Sequence, residues 1–205
     1  HKISIIFALP VNVMLDNSLA RKALRELRSW VIGIHIFEVN EKKYHIEVIA
    51  LDIFAQPGGG HLAWLLNDEG KIVRPISDIK SLKTIVDIGF NTNDVLTIQG
   101  SEIIGRHTGG NTAGIRRAAE QLIRDIKDEY DVTLSRHQAD EYLRAKKPVF
   151  SCAQGDMDIS PIVDQALSVA SASIGDFLET LLGNGNQFRH MFFTGGGSAL
   201  IKNEQ

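Results

Sequence analysis

The stretch Val86 to Gly100, VDIGFNTNDVLTIQG, decides how this sequence is read. An apolar run (Thr84, Ile85, Val86) reaches Asp87 and then Gly89; Thr92 and Asp94 follow, and a second apolar run begins at Val95. The plain reading is a turn between two strands, because Asn and Asp tolerate left-handed backbone and Gly adopts it at no steric cost. The same residues also suit a phosphate cradle. Gly89 lets an anion approach the backbone, while the N–H groups of a turn through Asn91 and the Thr92 hydroxyl donate hydrogen bonds. Asp87, at a strand end, is placed to hold a metal-bound water, since Mg2+ takes oxygen ligands and keeps several waters.

A second glycine motif lies about a hundred residues on, RHMFFTGGGSALIK from Arg189 to Lys202. A strand runs into Gly195-Gly196-Gly197 and then a helix capped by Ser198, a junction that turns helix N–H groups and a flat glycine surface toward a ligand. A dinucleotide fingerprint is the rival reading, but Leu200 stands where its last glycine belongs. No Gly-Lys-Ser/Thr occurs, so a Walker A loop is absent.

Around these motifs the periodicity predicts a buried strand over 3–9, then a helix capped at Asp16-Asn17-Ser18. Two strands follow, 31–40 and 43–55, around Asn40-Glu41-Lys42. Pro57 and the glycines 58–60 are read as a break before a short helix over 61–66. A third strand is expected over 102–107, after a tight turn at Gly100-Ser101. Gly109-Gly110-Asn111 is read as the opening of a long helix from Thr112 to about Tyr130, with Gly109 and Gly110 as helix-entry or phosphate-contacting glycines. Ser135 caps the next helix, and Ser160-Pro161 starts another that reaches about Leu182. Strand groups, then helices, then one strand and a helix favour an α/β fold with mixed sheet order.

The bulk numbers narrow the classes. The chain has 205 residues, 43% hydrophobic and 23% charged, which is a globular composition. A formal net charge of −3 gives no electrostatic reason to expect direct nucleic-acid binding. One cysteine, Cys152, excludes an intrachain disulfide and fits a reducing cytoplasm. No apolar run approaches bilayer-spanning length. The histidines and the cysteine lack metal-ligand spacing.

DIGFNTND and FFTGGGSALI, in this order, resemble the second phosphate loop and the adenosine loop of the actin, heat-shock-chaperone and sugar-kinase ATPase superfamily. Within it, ALPVNVM and the Gln56-Pro57 pair look closest to bacterial plasmid-partition actins of the ParM type. The resemblance implies an actin-like (ribonuclease H-like) fold, a mixed sheet flanked by helices, mostly domain II. Residues 1–57 would be a remnant of domain I and 58–205 domain II, with about 111–150 as its small helical subdomain. The family's first phosphate hairpin would precede His1, so the chain reads as a fragment, inactive alone. By the same resemblance ATP and Mg2+ are the cofactors. Gln56 orients the attacking water, Asp87 holds the metal through water, and Gly89, Asn91, Thr92, Gly109, Gly110, Gly195, Gly196 and Gly197 contact the nucleotide. Self-association into filaments, with an adaptor protein bound to DNA as a further partner, is the implied output. A chaperone-type or reactivating ATPase, a small-molecule kinase, and a bare interaction domain are the alternatives.

Overall fold

Asp16 starts the first long helix. Its Oδ1 accepts from Ser18 Oγ (2.7 Å), Leu19 N (3.2 Å) and Ser18 N (2.8 Å), and these bonds hold its carboxyl below the usual range. The structure is a computed structural model that describes residues 1–152 and 155–201. It divides into two units, His1–Pro75 and Ile76–Gln205. The first unit includes residues 58–75, which the resemblance assigns to domain II.

In the first unit β1 (Lys2–Leu9) leads through α1 (Val11–Leu15) and α2 (Asn17–Val31) to the hairpin of β2 (Gly33–Val39) and β3 (Lys42–Ala55). Asn40 and Glu41 both take positive φ, 49° and 62°, the two-residue turn that matches strand twist. The sheet order is β1-β3-β2, with β1 parallel and β2 antiparallel to β3. Leu24 and Leu27 of α2 pack with Ile3, Ile5, Val48 and Leu51 on one face. β1 is therefore not the fully buried strand its apolar run suggests. Its burial alternates, and Ile6 is 69% exposed on the other face. The glycines after Pro57 also behave differently from the reading as a break. They form the first turn of α3 (Gly58–Leu65), because Gly58 lies against the Phe54 ring, where a Cβ would collide.

The second unit opens with α4 (Ile76–Lys80), a single turn with no periodicity to betray it. Lys83, fully buried in β4 (Leu82–Ile88), closes that turn. Its Nζ donates to the carbonyls of Ile79 (2.7 Å) and Ser81 (2.9 Å), and burial pushes the ammonium below the usual lysine range. β5 (Asn93–Gln99) pairs antiparallel with β4, and Gly100 (φ +62°) turns the chain into β6 (Glu102–Ile103). The strand expected to reach His107 stops at Ile103 and gives way to a 3-10 turn at Gly105–His107. Side chains replace the ladder there: Thr97 Oγ1 donates to His107 O (2.6 Å), and Thr97 N donates to Thr108 Oγ1 (3.0 Å).

Gly109-Gly110-Asn111 does not open the helix. It forms β7 (Gly109–Asn111), antiparallel to β5, and α5 (Arg116–Tyr130) starts later than expected. Strand pairing wins because Asn93 Nδ2 donates to Asn111 Oδ1 (3.2 Å) and Ala113 O (2.9 Å), fastening the exit from β7 to β5. α6 (Arg136–Arg144) follows, then β8 (Val149–Cys152) and β9 (Gly155–Asp158), α7 (Ser160–Leu182), β10 (His190–Thr194) and α8 (Ser198–Ile201). The order β10-β4-β5-β6, with β7 also on β5 and only β10 parallel, makes a mixed sheet. Leu122 and Ile126 of α5 and Ala166 and Ile174 of α7 pack on Val86 and Val95 in one core. Among the described residues no helix is long and apolar enough to cross a membrane.

Ser135 begins α6 with a capping box: its Oγ accepts from Gln138 N (3.2 Å) while its N–H donates to Gln138 Oε1 (2.9 Å). Ser135→Ala is expected to lower stability by about 1 kcal/mol in urea unfolding. An unchanged midpoint would mean that packing alone holds α6.

Candidate functional site

Parallel strands that end together present their following loops to the same space, the usual place for a ligand in an α/β sheet. β10 and β4 are such a pair, with Thr194 in register with Asp87. The loop after each is one of the two glycine motifs. Gly197 N donates to Ile88 O (2.8 Å), stitching the three-glycine loop to the end of β4. Gly195 takes φ +84°, and a Cβ there would collide with Asp87 Oδ1 and the Ile88 carbonyl. A Cβ on Gly197 would lie 2.5 Å from Ile115 Cγ1 and 2.7 Å from Ile88 Cγ2.

The β4–β5 turn is closed from within. Gly89 N donates to Thr92 O (2.8 Å), so that N–H is not available to a ligand. The carbonyls of Gly89 and Phe90 accept from Ile115 N (3.2 Å) and Arg116 N (2.7 Å), satisfying first-turn donors of α5. The turn therefore caps α5 with its carbonyls. Among the described residues no hydrogen bond is recorded for the N–H groups of Asn91 and Thr92 or for the Thr92 hydroxyl. Asn91 is exposed at the tip, and Thr92 and Asp87 are half-buried.

Asp87, Gly89, Asn91, Thr92 and the three glycines thus gather at one end of the second unit's sheet. Gly109 and Gly110 lie one strand further out, opposite Val95 and Asp94, with their backbone in a ladder. Gln56 belongs to the first unit. It is exposed at the end of β3, its N–H donating to Leu9 O (2.9 Å), so its side chain is free of that unit's core.

The motifs did not point to Arg144. At the end of α6, its Nη1 donates to Gly196 O (3.0 Å) and its Nε to Asp140 Oδ2 (2.9 Å); the carboxylate holds the guanidinium even further above its usual pKa. Beside it a cavity of about 580 Å3 opens between α6, α7 and α8, lined by Arg144, Lys146, Ser160, Asp164, Val163 and Leu200, among others. Its walls combine cationic, acidic and apolar side chains. No sequence signal isolates Arg144, because it is one more basic residue in a last helical turn.

Among the described residues no group of three or more His, Cys, Asp or Glu side chains is placed for a metal. The half-buried carboxylate of Asp87 still fits Mg2+, which is held through one or two carboxylates, waters and phosphate oxygens.

Comparison with known proteins adds a lineage. Residues 85–204, more than half of the chain, match the family model of the archaeal actin homologue MreB-like C-terminal domain. No curated protein sequence matches. Among solved structures, an archaeal actin homologue in complex with ADP is similar at 18% identity and TM-score 0.72, over 97% of this chain and 62% of its own. The non-polymerisable quadruple mutant of pCBH ParM aligns at 17% identity and TM-score 0.74, over 98% and 60%. A ParM from a 15-stranded filament of Clostridium botulinum aligns at 18% and 0.72, over 97% and 58%. The chain spans about 60% of the length of such relatives, and identities this low speak for the fold alone.

Proposed function

We propose that this chain, which belongs to the family of archaeal MreB-like actin homologues, is the nucleotide-contacting part of a cytoplasmic, actin-like ATPase that assembles into filaments. The observation that carries this reading is the meeting of two glycine loops at the ends of β4 and β10, stitched by Gly197 N to Ile88 O. Phosphoryl transfer needs mainly positioning and electrostatics, which such a pair of loops supplies. The ADP bound by one similar protein and the filament formed by another support the same assignment.

In this reading the Thr92 hydroxyl and the N–H groups of Asn91 and Thr92 donate to phosphate oxygens. The three-glycine loop faces the nucleoside, with the cavity beside Arg144 for the base. Gly109 and Gly110 support the turn from β7. Asp87 would hold a Mg2+ ion through its waters, and such an ion, when bound, would supply neutralisation of phosphate charge. Gln56 orients the attacking water, since a neutral amide both donates and accepts but does not deprotonate. Nucleotide state then alters contacts between subunits, and a DNA-bound adaptor in a segregation system is the partner such a filament serves.

Pelleting of the intact protein with and without Mg2+-ATP tests this: filaments should sediment only with nucleotide. Gln56→Ala should slow phosphate release about a hundredfold, about 3 kcal/mol on the barrier. Its ATP affinity should hold and its filaments should persist. No nucleotide-dependent pellet would remove the filament reading, and normal turnover in the variant would remove Gln56.

A further inference from the structure

Three consecutive glycines are the least constrained backbone a loop can have. A loop built this way cannot set its own shape, so something must hold it. Gly195 lies so close to Asp87 and the Ile88 carbonyl that a Cβ there would collide, and Gly197 N donates to Ile88 O, both on β4. The middle residue, Gly196, is exposed, and its carbonyl accepts from Arg144, from a different element. Arg144 is in turn fixed by Asp140 one helical turn back, so its planar fork spans α6 and the loop. The same guanidinium lines the cavity between α6, α7 and α8.

We infer that Arg144 is a positioning residue for the nucleoside half of the ligand: it fixes the Gly196 peptide and so couples occupancy of the cavity to α6. This rests on the nucleotide reading above. The phosphate half is served by a different loop, the β4–β5 turn, whose groups Arg144 does not bond. Loss of Arg144 therefore divides the ligand in two: recognition of the nucleoside suffers and recognition of the phosphate chain does not.

The experiment is calorimetric titration of the intact protein and its Arg144→Ala and Arg144→Lys variants with Mg2+-ATP, and separately with Mg2+-tripolyphosphate. Arg144→Ala should weaken ATP about tenfold, the scale of one charge-assisted hydrogen bond, with tripolyphosphate affinity unchanged. Arg144→Lys, whose ammonium is one compact donor point where the guanidinium reaches Asp140 and Gly196 from two separate nitrogens, should fall between. Equal losses for both probes in Arg144→Ala would overturn the inference, because a collapsed loop or a bare positive charge beside the phosphates gives that result. Unchanged ATP affinity in Arg144→Ala, or wild-type affinity in Arg144→Lys, would overturn it too. Failure of the unaltered protein to bind either probe would instead sink the nucleotide reading itself.

Discussion

Asp87→Ala in the intact protein is expected to abolish Mg2+-dependent ATP hydrolysis, a loss of at least about a thousandfold, or about 4 kcal/mol on the barrier. The carboxylate stands half-buried at the end of β4, in register with Thr194 and beside both glycine loops. No other motif residue at this end of the sheet offers an anionic oxygen except Asp94, which is buried under β7 with Gly110 against it. In the proposed reading, Asp87 is the carboxylate that would hold a Mg2+ ion through its waters, and the substitution would remove that anion. The fold should survive, because Val86 and Ile88, its fully buried neighbours, carry the packing. Phosphate release and thermal unfolding measured on the same sample decide it. Turnover near the wild-type rate with an unchanged melting temperature would take Asp87 out of the mechanism.

Gly195→Ala is the second large effect, and it reads on stability. Its φ of +84° is already unfavourable for an L side chain, and the new methyl would meet Asp87 Oδ1 and the Ile88 carbonyl. Backbone strain and overpacking together should cost about 4 kcal/mol. The neighbouring Gly196→Ala is the control: its nearest atoms would be Arg144 nitrogens at 3.8 Å, an ordinary contact. Chemical denaturation should therefore separate two substitutions that look equivalent in sequence. Equal midpoints for the two would show that the loop is not pressed onto β4.

The parts of this fold that the sequence foretold are those whose signals are local. β4 and β5 are legible because Thr84-Ile85-Val86 and Val95 to Ile98 flank a Gly-Asn turn, and α7 because Ser160-Pro161 marks its start. The mixed sheet followed from the order of strand groups, then helices, then one strand and a helix, and the actin-like fold from the two glycine motifs taken as a pair. What escaped depends on distant partners. Gly109-Gly110-Asn111 carries turn, cap and strand possibilities alike, and only Asn93, 18 residues back, decides for the strand. The late start of α5 is set by the Gly89 and Phe90 carbonyls. Gly58 starts a helix because Phe54 needs the space beside it. In the site itself the turn and the glycine loop were visible, but Arg144 reaches Gly196 across 52 residues, and nothing near it in sequence announces that contact.

The pairing of β10 with β4 bears on how the protein is made. His190 is in register with Lys83, so the two strands that end at the glycine loops are translated far apart. During synthesis β4 and β5 leave the ribosome first, followed by all of α5, α6 and α7, while one edge of β4 waits for its partner. Closing a loop of about a hundred residues is slow more than it is costly. Until β10 arrives, the nascent chain carries an open sheet edge beside Ile85 and Val86, a surface that invites wrong pairing with neighbouring chains. β10 thus both closes that edge and brings the three-glycine loop to the end of β4, and a ribosome that stalls before Thr194 leaves a chain with neither.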